Sequence, residues 1–396
     1  MIKLNNDSVY VKGAVNGAIY DFSNGNIYSI NKSACDVIDK IMSKESLNAK
    51  EKEYANTLVK NGLIDIDYNF EKYTPITTDF NFGTCWLEIT QGCNCRCLHC
   101  YEGNIHRKSD DCLSINEWFG AIDQLIESGF KRFVVIGGEP CVSDYVDEIL
   151  LYVSGKGGDV TLFTNGTLIS PELNELILNN NIRVKFSIYG HNASVHDNIT
   201  QHPGSFDTLL KNMKYLIEKN VDVSASVIIM KENEGYYQDI LKFLDNLGIE
   251  YKFDVIREVF GGCQSQHTPT NMNVVKKFYR TSPRFPKITR KHFDLAINHN
   301  TCWFGKIVIC EDGSVLPCVF ERNNILGNIK NKSIKDILNS SNLKKCWEFS
   351  IDKVENCKQC EFRFGCKDCR PLASACGNIN AKNPRCTYDA NSGEWL

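Results

Sequence analysis

Cysteine, more than any other residue type, limits what this chain can fold into. The chain has 19 cysteines among its 396 residues, and an odd number cannot pair completely within one chain. Residues 1–7 lack the apolar core of a secretory signal. A cytoplasmic protein is therefore expected, and a disulfide scaffold is not. Thiolate-rich sites in such proteins bind zinc or iron–sulfur clusters instead.

The cysteines are concentrated in two segments. Four fall within residues 93–100 and ten within residues 302–386. The other five are predicted to be small buried side chains without a metal, and they are Cys35, Cys85, Cys112, Cys141 and Cys263.

Composition excludes several classes of partner. Charged residues make up 23% of the chain and the formal net charge is -3, which gives no reason to expect nucleic acid or an anionic membrane surface. No apolar run approaches the roughly 20 residues that a membrane helix needs. The length predicts two or three domains.

Residues 84–256 alternate between predicted strands and helices. Repeated βα units imply parallel strands with right-handed crossovers, and therefore a partial (β/α)6 TIM-like barrel within an α/β fold. Chemistry is expected at the carboxyl ends of the strands. The six predicted strands are residues 86–90, 132–136, 160–163, 183–188, 221–229 and 251–256.

The segments on either side have different patterns. Residues 1–75 predict a winged-helix module. It would contain a hairpin with an Asn-Gly turn, two helices at about 33–43 and 48–61, and a wing strand at 63–66. Residues 257–300 are predicted to be a connector. Residues 301–396 are turn-rich and poor in apolar residues, so they would need bound metal to fold stably.

The strongest motif follows the first predicted strand. Cys93, Cys97 and Cys100 have the spacing CX3CX2C. Three such thiolates can bind three irons of a [4Fe–4S] cluster and leave the fourth iron open. A zinc site is the alternative, but a structural zinc site needs a fourth ligand. Cys95 lies inside the motif and is predicted to be a bystander.

The motif at this position resembles that of the radical S-adenosylmethionine (radical SAM) superfamily. The resemblance implies that an electron from the cluster cleaves S-adenosylmethionine into methionine and a 5′-deoxyadenosyl radical, which abstracts a hydrogen atom from the substrate. It also implies cofactor contacts from the loop after the second strand, from two later strand ends and from the neighbours of Cys100. These residues are Gly137, Gly138, Glu139, Pro140, Asn165, Ser187, His99 and Tyr101.

These cofactor contacts are not equally specific. Asn165 could almost as well be an ordinary loop residue, and Ser187 an ordinary strand-end residue. No residue is marked as a catalytic acid or base. The polar residues after the fourth strand are predicted to lie on a surface loop, although they could approach the active site, and they are His191, His196, Asp197 and His202.

The second cysteine-rich segment resembles the SPASM domain, which holds auxiliary iron–sulfur clusters. Its motifs are CX10GX4C from Cys302 to Cys318 and CX2CX5CX2C from Cys357 to Cys369, followed by Cys386. Within the first motif, residues 311–314 are predicted to form the turn of a hairpin between strands at 307–309 and 315–316. The resemblance implies two auxiliary [4Fe–4S] clusters, and hence three in the whole chain. The first would be bound by Cys302, Cys318 and Cys369, and the second by Cys357, Cys360, Cys366 and Cys386.

The segment departs from the SPASM pattern in two ways. The last gap of the quartet has two residues where the family usually has three, and the first cluster lacks a clear fourth ligand. Cys310 could supply that ligand, or the iron could be open to substrate. Cys346 and Cys376 are predicted to be structural. A pair of zinc sites is the alternative for the whole segment.

Together the three segments resemble thioether-forming maturases of ribosomally made peptides, the sactipeptide and ranthipeptide enzymes. The N-terminal module resembles their leader-recognition element, which binds a peptide by strand addition. The resemblance implies a precursor peptide with a leader as substrate and a reductant such as flavodoxin or ferredoxin. Carbon–carbon crosslinking, epimerisation and formylglycine formation remain alternatives, as does a non-catalytic electron carrier.

Overall fold

A computed structural model of the chain describes residues 1–76, 82–101, 103, 111–259 and 265–395. The chain forms two compact units. The first contains Met1–Asp79, Tyr279–Phe304 and Trp347–Leu396, and the second contains Phe80–Phe278 and Gly305–Cys346. The predicted segments 1–75 and 84–256 lie in the first and second units respectively, while 257–300 and 301–396 contribute to both. As a division into domains, the four segments stay a prediction.

The strands are numbered along the chain. They are β1 (Ile2–Lys3), β2 (Ser8–Lys12), β3 (Gly17–Asp21), β4 (Asn26–Ile30), β5 (Glu71–Lys72), β6 (Thr84–Glu88), β7 (Arg132–Ile136), β8 (Asp159–Thr164), β9 (Arg183–Ile188), β10 (Val223–Ile229), β11 (Glu250–Val255), β12 (Ile307–Cys310), β13 (Ser314–Leu316), β14 (Gly327–Asn328), β15 (Tyr388–Asp389) and β16 (Glu394–Trp395).

The α-helices are numbered in the same way. They are α1 (Lys32–Met42), α2 (Ala49–Lys60), α3 (Ile115–Glu127), α4 (Val146–Gly155), α5 (Pro171–Asn179), α6 (Ala193–Thr200), α7 (Ser205–Glu218), α8 (Tyr237–Leu247), α9 (Met272–Phe278), α10 (Arg290–Asn298), α11 (Ile334–Leu338), α12 (Ser341–Trp347) and α13 (Arg370–Ala375). Within the described part of the chain, none of them is both long and apolar enough to cross a bilayer.

The first unit is built on an antiparallel sheet with the strand order β4-β3-β2-β1-β5. The predicted hairpin is confirmed, because β3 and β4 pair around a turn in which Gly25 has a φ of 69°. The two predicted helices are α1 and α2. Both begin with an asparagine cap, Asn31 and Asn48, whose side chain accepts a backbone N–H of the first turn.

The predicted wing strand at residues 63–66 is wrong. Leu63 and Ile64 are both buried, so their side chains do not alternate between two faces as strand residues do. The backbone N–H of Leu63 instead donates to Leu58 O and closes the end of α2. The strand that completes the sheet comes later, as β5, and pairs with β1.

The predicted connector contributes helix α10 to the core of the first unit. Phe293 of α10 is fully buried, with its ring centroid 4.7 Å from that of Tyr20 on β3 and 5.5 Å from that of Tyr73. This edge-to-face packing of rings is a favourable arrangement of aromatic side chains. The periodicity of residues 257–300 did not reveal this contribution.

The second unit contains a TIM-like partial barrel sheet. Strands β6 to β11 are parallel and follow one another in sequence order, so all six predicted strands are confirmed to within two residues at each end. Helix α3 shows why the sequence pattern predicted these elements correctly. Its capping box joins Ser114 and Glu117, and Trp118, Ile122 and Leu125 form its buried face.

The predicted hairpin of the cysteine-rich segment is also confirmed, as β12 and β13. The sequence did not predict where it would pair. Strand β12 lies parallel to β6, with Cys310 opposite Glu88, so the hairpin extends the barrel sheet beyond its first strand.

Candidate active site

A cavity of about 320 Å³ in the second unit is lined by side chains from all six parallel strands and from the loops that follow them. All three cysteines of the CX3CX2C motif line it. So do most of the residues predicted to contact the cofactor, namely His99, Tyr101, Gly137, Gly138, Glu139, Asn165 and Ser187. Pro140 is buried and begins a short 3-10 turn.

The loop that carries the three cysteines is held by the end of α6. Arg96 N donates to Thr200 O over 2.9 Å, and Leu98 N donates to Ile199 O over 3.0 Å. His202 Nδ1 lies 2.9 Å from Asn94 O. The free carbonyls at the end of a helix therefore fix the backbone between the cysteines. Sequence reasoning missed this contact, because nothing local links residue 96 to residue 200.

The two glycines after β7 are required by the packing of the chain itself. A Cβ atom on Gly137 would lie 2.2 Å from Thr90 O, and one on Gly138 would lie 2.4 Å from Gly92 O. In place of side chains, Gly138 N donates to Thr90 O and Glu139 N donates to Gly92 O, each over 2.8 Å. The backbone of the glycine pair therefore lies in close contact with the loop after β6.

Glu139 joins the ends of two neighbouring strands. Its side chain is fully buried, and its carboxylate accepts hydrogen bonds from Thr164 Oγ1 (2.6 Å), Asn165 N (2.6 Å) and Cys141 N (3.1 Å). Burial raises the pKa of this carboxyl, and the three hydrogen bonds act in the opposite direction. The loop after β7 and the end of β8 are fastened together at the cavity wall.

Asn165 binds the cysteine loop through its side chain. Its Nδ2 donates to Asn94 Oδ1 over 2.8 Å, and its Oδ1 accepts from Thr167 N over 2.9 Å. Asn94 Nδ2 donates in turn to Thr167 Oγ1 over 2.8 Å. Contacts from Asn165, Ser187, His99 and Tyr101 to a cofactor stay predictions, and this network shows what holds Asn165 in place.

The prediction that the polar residues after β9 lie on a surface loop is wrong for His196. Its side chain is buried on α6, and its Nδ1 accepts a hydrogen bond from Tyr189 N over 3.2 Å. Tyr189 lines the cavity, and its ring centroid is 4.4 Å from that of His99. Burial lowers the pKa of both histidines to about 4, so both are neutral near pH 7.

Asp197 caps α7 by accepting hydrogen bonds from Phe206 N and Gly204 N.

A buried ion pair links the cysteine-rich segment to the barrel. Arg322 donates from Nη1 and Nη2 to the two carboxylate oxygens of Glu88, over 2.9 and 2.6 Å. Glu88 is 1% exposed. The guanidinium also lies 5.4 Å from the centroid of the Tyr101 ring, next to Cys100. No local sequence pattern predicts this pair, because its partners are 234 residues apart.

The four cysteines predicted for the second auxiliary cluster all belong to the first unit, where Cys357, Cys360 and Cys386 pack against the same hydrophobic core. Burial, and then the neighbouring Cys366 and Asp368, raise the pKa of Cys357. Burial, and then the neighbouring Glu361 and Cys366, likewise raise the pKa of Cys360. Iron–sulfur binding requires deprotonated thiols, and the positive irons of a cluster would offset the mutual repulsion of these thiolates. Four thiolates are the donor set that a [4Fe–4S] cluster takes, and their binding of one common cluster stays a prediction.

The cysteines predicted for the first auxiliary cluster are divided between the two units. Cys302 and Cys369 belong to the first unit and Cys318 to the second, so their common cluster stays a prediction. Cys310, the suggested fourth ligand, is buried beside Val308 and Leu316, with Arg322 Nη1 3.5 Å from its sulfur. Cys310 therefore lies between apolar side chains and the ion pair of Glu88 with Arg322, and its role as a ligand also stays a prediction.

The remaining cysteines vary in exposure. Cys35 and Cys85 are buried as predicted, whereas Cys112 and Cys141 are only partly buried. Cys346 is buried and accepts Asn324 Nδ2 over 3.2 Å, and Cys376 is exposed. Cys95 is buried and lines the cavity. Cys263 lies outside the described residues.

Two family models match the chain. Residues 87–244 match the model of the radical SAM superfamily, and residues 302–361 match the SPASM model, described as an iron–sulfur cluster-binding domain. The first match spans the CX3CX2C motif and strands β7 to β10. The second begins at Cys302 and includes Cys310, Cys318, Cys357 and Cys360.

Curated relatives align over most of the chain at modest identity. The antilisterial bacteriocin subtilosin biosynthesis protein AlbA of Bacillus subtilis (strain 168) is 28% identical over 72% of this chain and 66% of its own length, so the chain spans about two thirds of that relative. An AdoMet-dependent heme synthase of Oleidesulfovibrio alaskensis is 25% identical over 76% of this chain and 86% of its own length.

A solved structure with the same fold covers nearly the whole chain. Streptococcus suis SuiB superposes with a TM-score of 0.62 at 14% identity, covering 97% of this chain and 99% of SuiB. The structure of SuiB bound to its precursor peptide SuiA gives a TM-score of 0.61 at 13% identity, with the same coverage. At this identity the likeness is one of fold.

Proposed function

Because this chain belongs to the radical SAM superfamily and carries a SPASM iron–sulfur domain, we propose that it is a peptide maturase that forms thioethers. It would join a cysteine sulfur to a carbon of another residue in a ribosomally made precursor peptide. Its cofactors are S-adenosylmethionine and [4Fe–4S] clusters, auxiliary clusters included. We infer three clusters, as the cysteine motifs indicate.

The cysteines that line the cavity, Cys93, Cys97 and Cys100, would hold the cluster that binds S-adenosylmethionine. When bound, S-adenosylmethionine and its cluster would supply a carbon-centred radical that abstracts a hydrogen atom. The auxiliary clusters would accept one electron. The net change in the peptide balances. One C–H and one S–H bond are lost, one C–S bond forms, and two hydrogens with their two electrons leave.

The chain contributes a shielded place for this chemistry. Trp86, Phe163, Tyr189 and Phe320 line the cavity together with Ile136, so reactive groups would face rings and methyl groups where water is scarce. Exclusion of water suppresses side reactions of such intermediates. The hydrogen bonds of Glu139 and Asn165 hold the walls of the cavity in fixed positions.

The edge of the N-terminal sheet favours a peptide as substrate. Among the described residues β4 pairs only with β3, so its other edge is open to a further strand. A groove of about 810 Å³ runs beside it, lined by residues of β4, α1 and α2, including Ile30, Val37 and Tyr54. An extended peptide can add to such an edge while its side chains enter the groove.

The names of similar proteins point in the same direction. AlbA is named for the biosynthesis of the bacteriocin subtilosin, and SuiB has been crystallised with a precursor peptide. The heme synthase relatives show that chains of similar length and sequence also act in other pathways. The open edge of β4, with the groove beside it, is the observation that favours a peptide over other substrates.

The proposal can be tested with the anaerobically reconstituted protein, S-adenosylmethionine, a reductant and an mRNA-displayed library of cysteine-containing peptides. Modified peptides are separated as those that iodoacetamide no longer alkylates. We expect such peptides to accumulate together with 5′-deoxyadenosine, and neither to form with the Cys93/Cys97/Cys100→Ala variant. If no peptide is modified, while a heme precursor stimulates formation of 5′-deoxyadenosine, the proposal is wrong.

A further inference from the structure

Two lysines on the later strands of the barrel sheet line the cavity. Lys185 lies on β9 and is partly buried, whereas Lys252 lies on β11 and is exposed, and both residues line the cavity. Ser226 of β10 pairs with Ser187 on one side and with Lys252 on the other, so these three residues form one layer across the sheet. Lys185 precedes Ser187 by two residues and therefore points to the same face, one layer away.

The acidic groups that line the cavity are already bound to other partners. Asp254 is paired with Arg257, whose Nη2 lies 2.6 Å from Asp254 Oδ2. Glu139 accepts hydrogen bonds from Thr164 and Asn165. Among the residues that the structure describes, neither lysine has a carboxylate within ion-pair distance, and the Lys185 ammonium lies 5.4 Å from the centroid of the Phe163 ring.

The electrostatics of the pair favour an anion. Burial, and then the charge of Lys252, lowers the pKa of Lys185, because both effects disfavour a second positive charge in this cavity. A carboxylate between the two ammonium groups would relieve their repulsion. It would also accept charge-assisted hydrogen bonds from both ammonium groups.

We propose that Lys185 and Lys252 bind the side-chain carboxylate of an aspartate or glutamate in the substrate peptide. This inference depends on the proposed function, and it adds the class of residue that the maturase modifies. Anchoring its carboxylate on the cavity wall places the neighbouring carbons of that acidic residue inside the cavity lined by Cys93, Cys97 and Cys100. The carbon joined to sulfur then belongs to the anchored residue.

A direct binding measurement tests the carboxylate site without turnover. The probes are radiolabelled N-acetylglutamate α-amide and its glutamine counterpart, dialysed to equilibrium against the reconstituted holoenzyme with saturating S-adenosylmethionine. We expect the glutamate probe to bind at least about tenfold more tightly than the glutamine probe. Lys185→Met and Lys252→Met should each abolish that preference. Lys214→Met, at an exposed position on α7, should preserve it.

Three results would overturn the inference. The first is equal binding of the two probes to the wild-type protein, and the second is a preference that survives in either lysine variant. The third is a preference that is seen only without S-adenosylmethionine, since the lysines would then serve the carboxylate of the cofactor. Because dialysis requires no reaction, each of these results is independent of whether thioethers form.

The peptide library gives a second, separate readout. The modified peptides should be enriched in Asp or Glu with the wild-type protein, and this enrichment should disappear with Lys252→Met. Thioether formation without acidic enrichment would contradict the carboxylate site and leave the proposed function standing.

Discussion

Glu139 is the residue at which the contacts around the cavity converge. Its carboxylate is fully buried and accepts three hydrogen bonds, from side chain and backbone groups of two loops. The sequence identified Glu139 through the GGEP motif but could not reveal these partners, because they depend on which strand ends become neighbours. The same limit applies to Asn165, whose partner Asn94 lies 71 residues earlier.

Replacing Glu139 with glutamine should destabilise the protein. A glutamine has one acceptor oxygen and an NH2 group, so its NH2 would face one of the groups that now donate, such as Asn165 N. An unsatisfied buried donor costs about 1–3 kcal/mol. The free energy of unfolding, measured with urea under anaerobic conditions, should fall by that amount in Glu139→Gln. It should barely change in Glu175→Gln, an exposed position on α5.

The burial of His196 predicts a dependence of stability on pH. Its pKa is lowered from 6.5 to about 4 in the folded chain, so the unfolded chain takes up a proton more readily. The stability due to neutral His196 is complete above pH 6.5 and is lost as the pH falls toward 4. We expect a loss of about 1 kcal/mol between pH 7 and pH 5.5.

His196→Asn tests this expectation, because asparagine Oδ1 can still accept the hydrogen bond from Tyr189 N. His99 titrates over the same range, so the informative quantity is the difference in pH dependence between wild type and variant. Unfolding by urea at both pH values measures it. The same pH dependence in the two proteins would contradict the assignment.

At the scale of elements, the pairing of β12 with β6 shows what sequence patterns predict and what they do not. All six barrel strands and both strands of the hairpin were predicted from local runs of apolar residues. The contact between β12 and β6 joins segments more than 200 residues apart, which no local pattern encodes. The predicted wing failed for a related reason, because Leu63 and Ile64 pack at the end of a helix.

The ion pair between Glu88 and Arg322 should be essential to this extension of the sheet. Arg322→Met would leave the carboxylate of Glu88 buried without its cation, at a cost of about 3–5 kcal/mol. The free energy of unfolding should recover in part when Glu88→Gln is added, because the buried charge is then removed.

Lys330→Met is the matched control for Arg322→Met. Its partner Asp111 is 84% exposed, and exposed ion pairs contribute at most about 1 kcal/mol. Equal effects of Arg322→Met and Lys330→Met on the free energy of unfolding would contradict the role given to the buried pair.

At the scale of the whole molecule, two sets of cysteines that are predicted to bind different clusters lie in different units. The CX3CX2C set lies in the second unit, and the set of Cys357, Cys360, Cys366 and Cys386 lies in the first. The spacing of the motifs predicted both sets. The fourth ligand of the first auxiliary cluster could not be predicted, because the chain offers no cysteine at a spacing that marks it.

Iron content should separate these sets. The reconstituted wild-type chain should hold about twelve irons, and the Cys93/Cys97/Cys100→Ala variant about eight. A variant with Cys357 and Cys360 replaced by alanine should lose iron while keeping the cluster that cleaves S-adenosylmethionine. About four irons in the wild type, falling to none in the first variant, with zinc present, would mean that the C-terminal segment is a structural zinc domain.

The central claim is that this chain forms a bond between sulfur and carbon in a peptide, and tandem mass spectrometry of one modified peptide tests it most directly. The account predicts a product two hydrogens lighter than its substrate, with one cysteine that iodoacetamide cannot alkylate and fragments that locate the link from that sulfur to a carbon. A product two hydrogens lighter in which every cysteine can still be alkylated would contradict it.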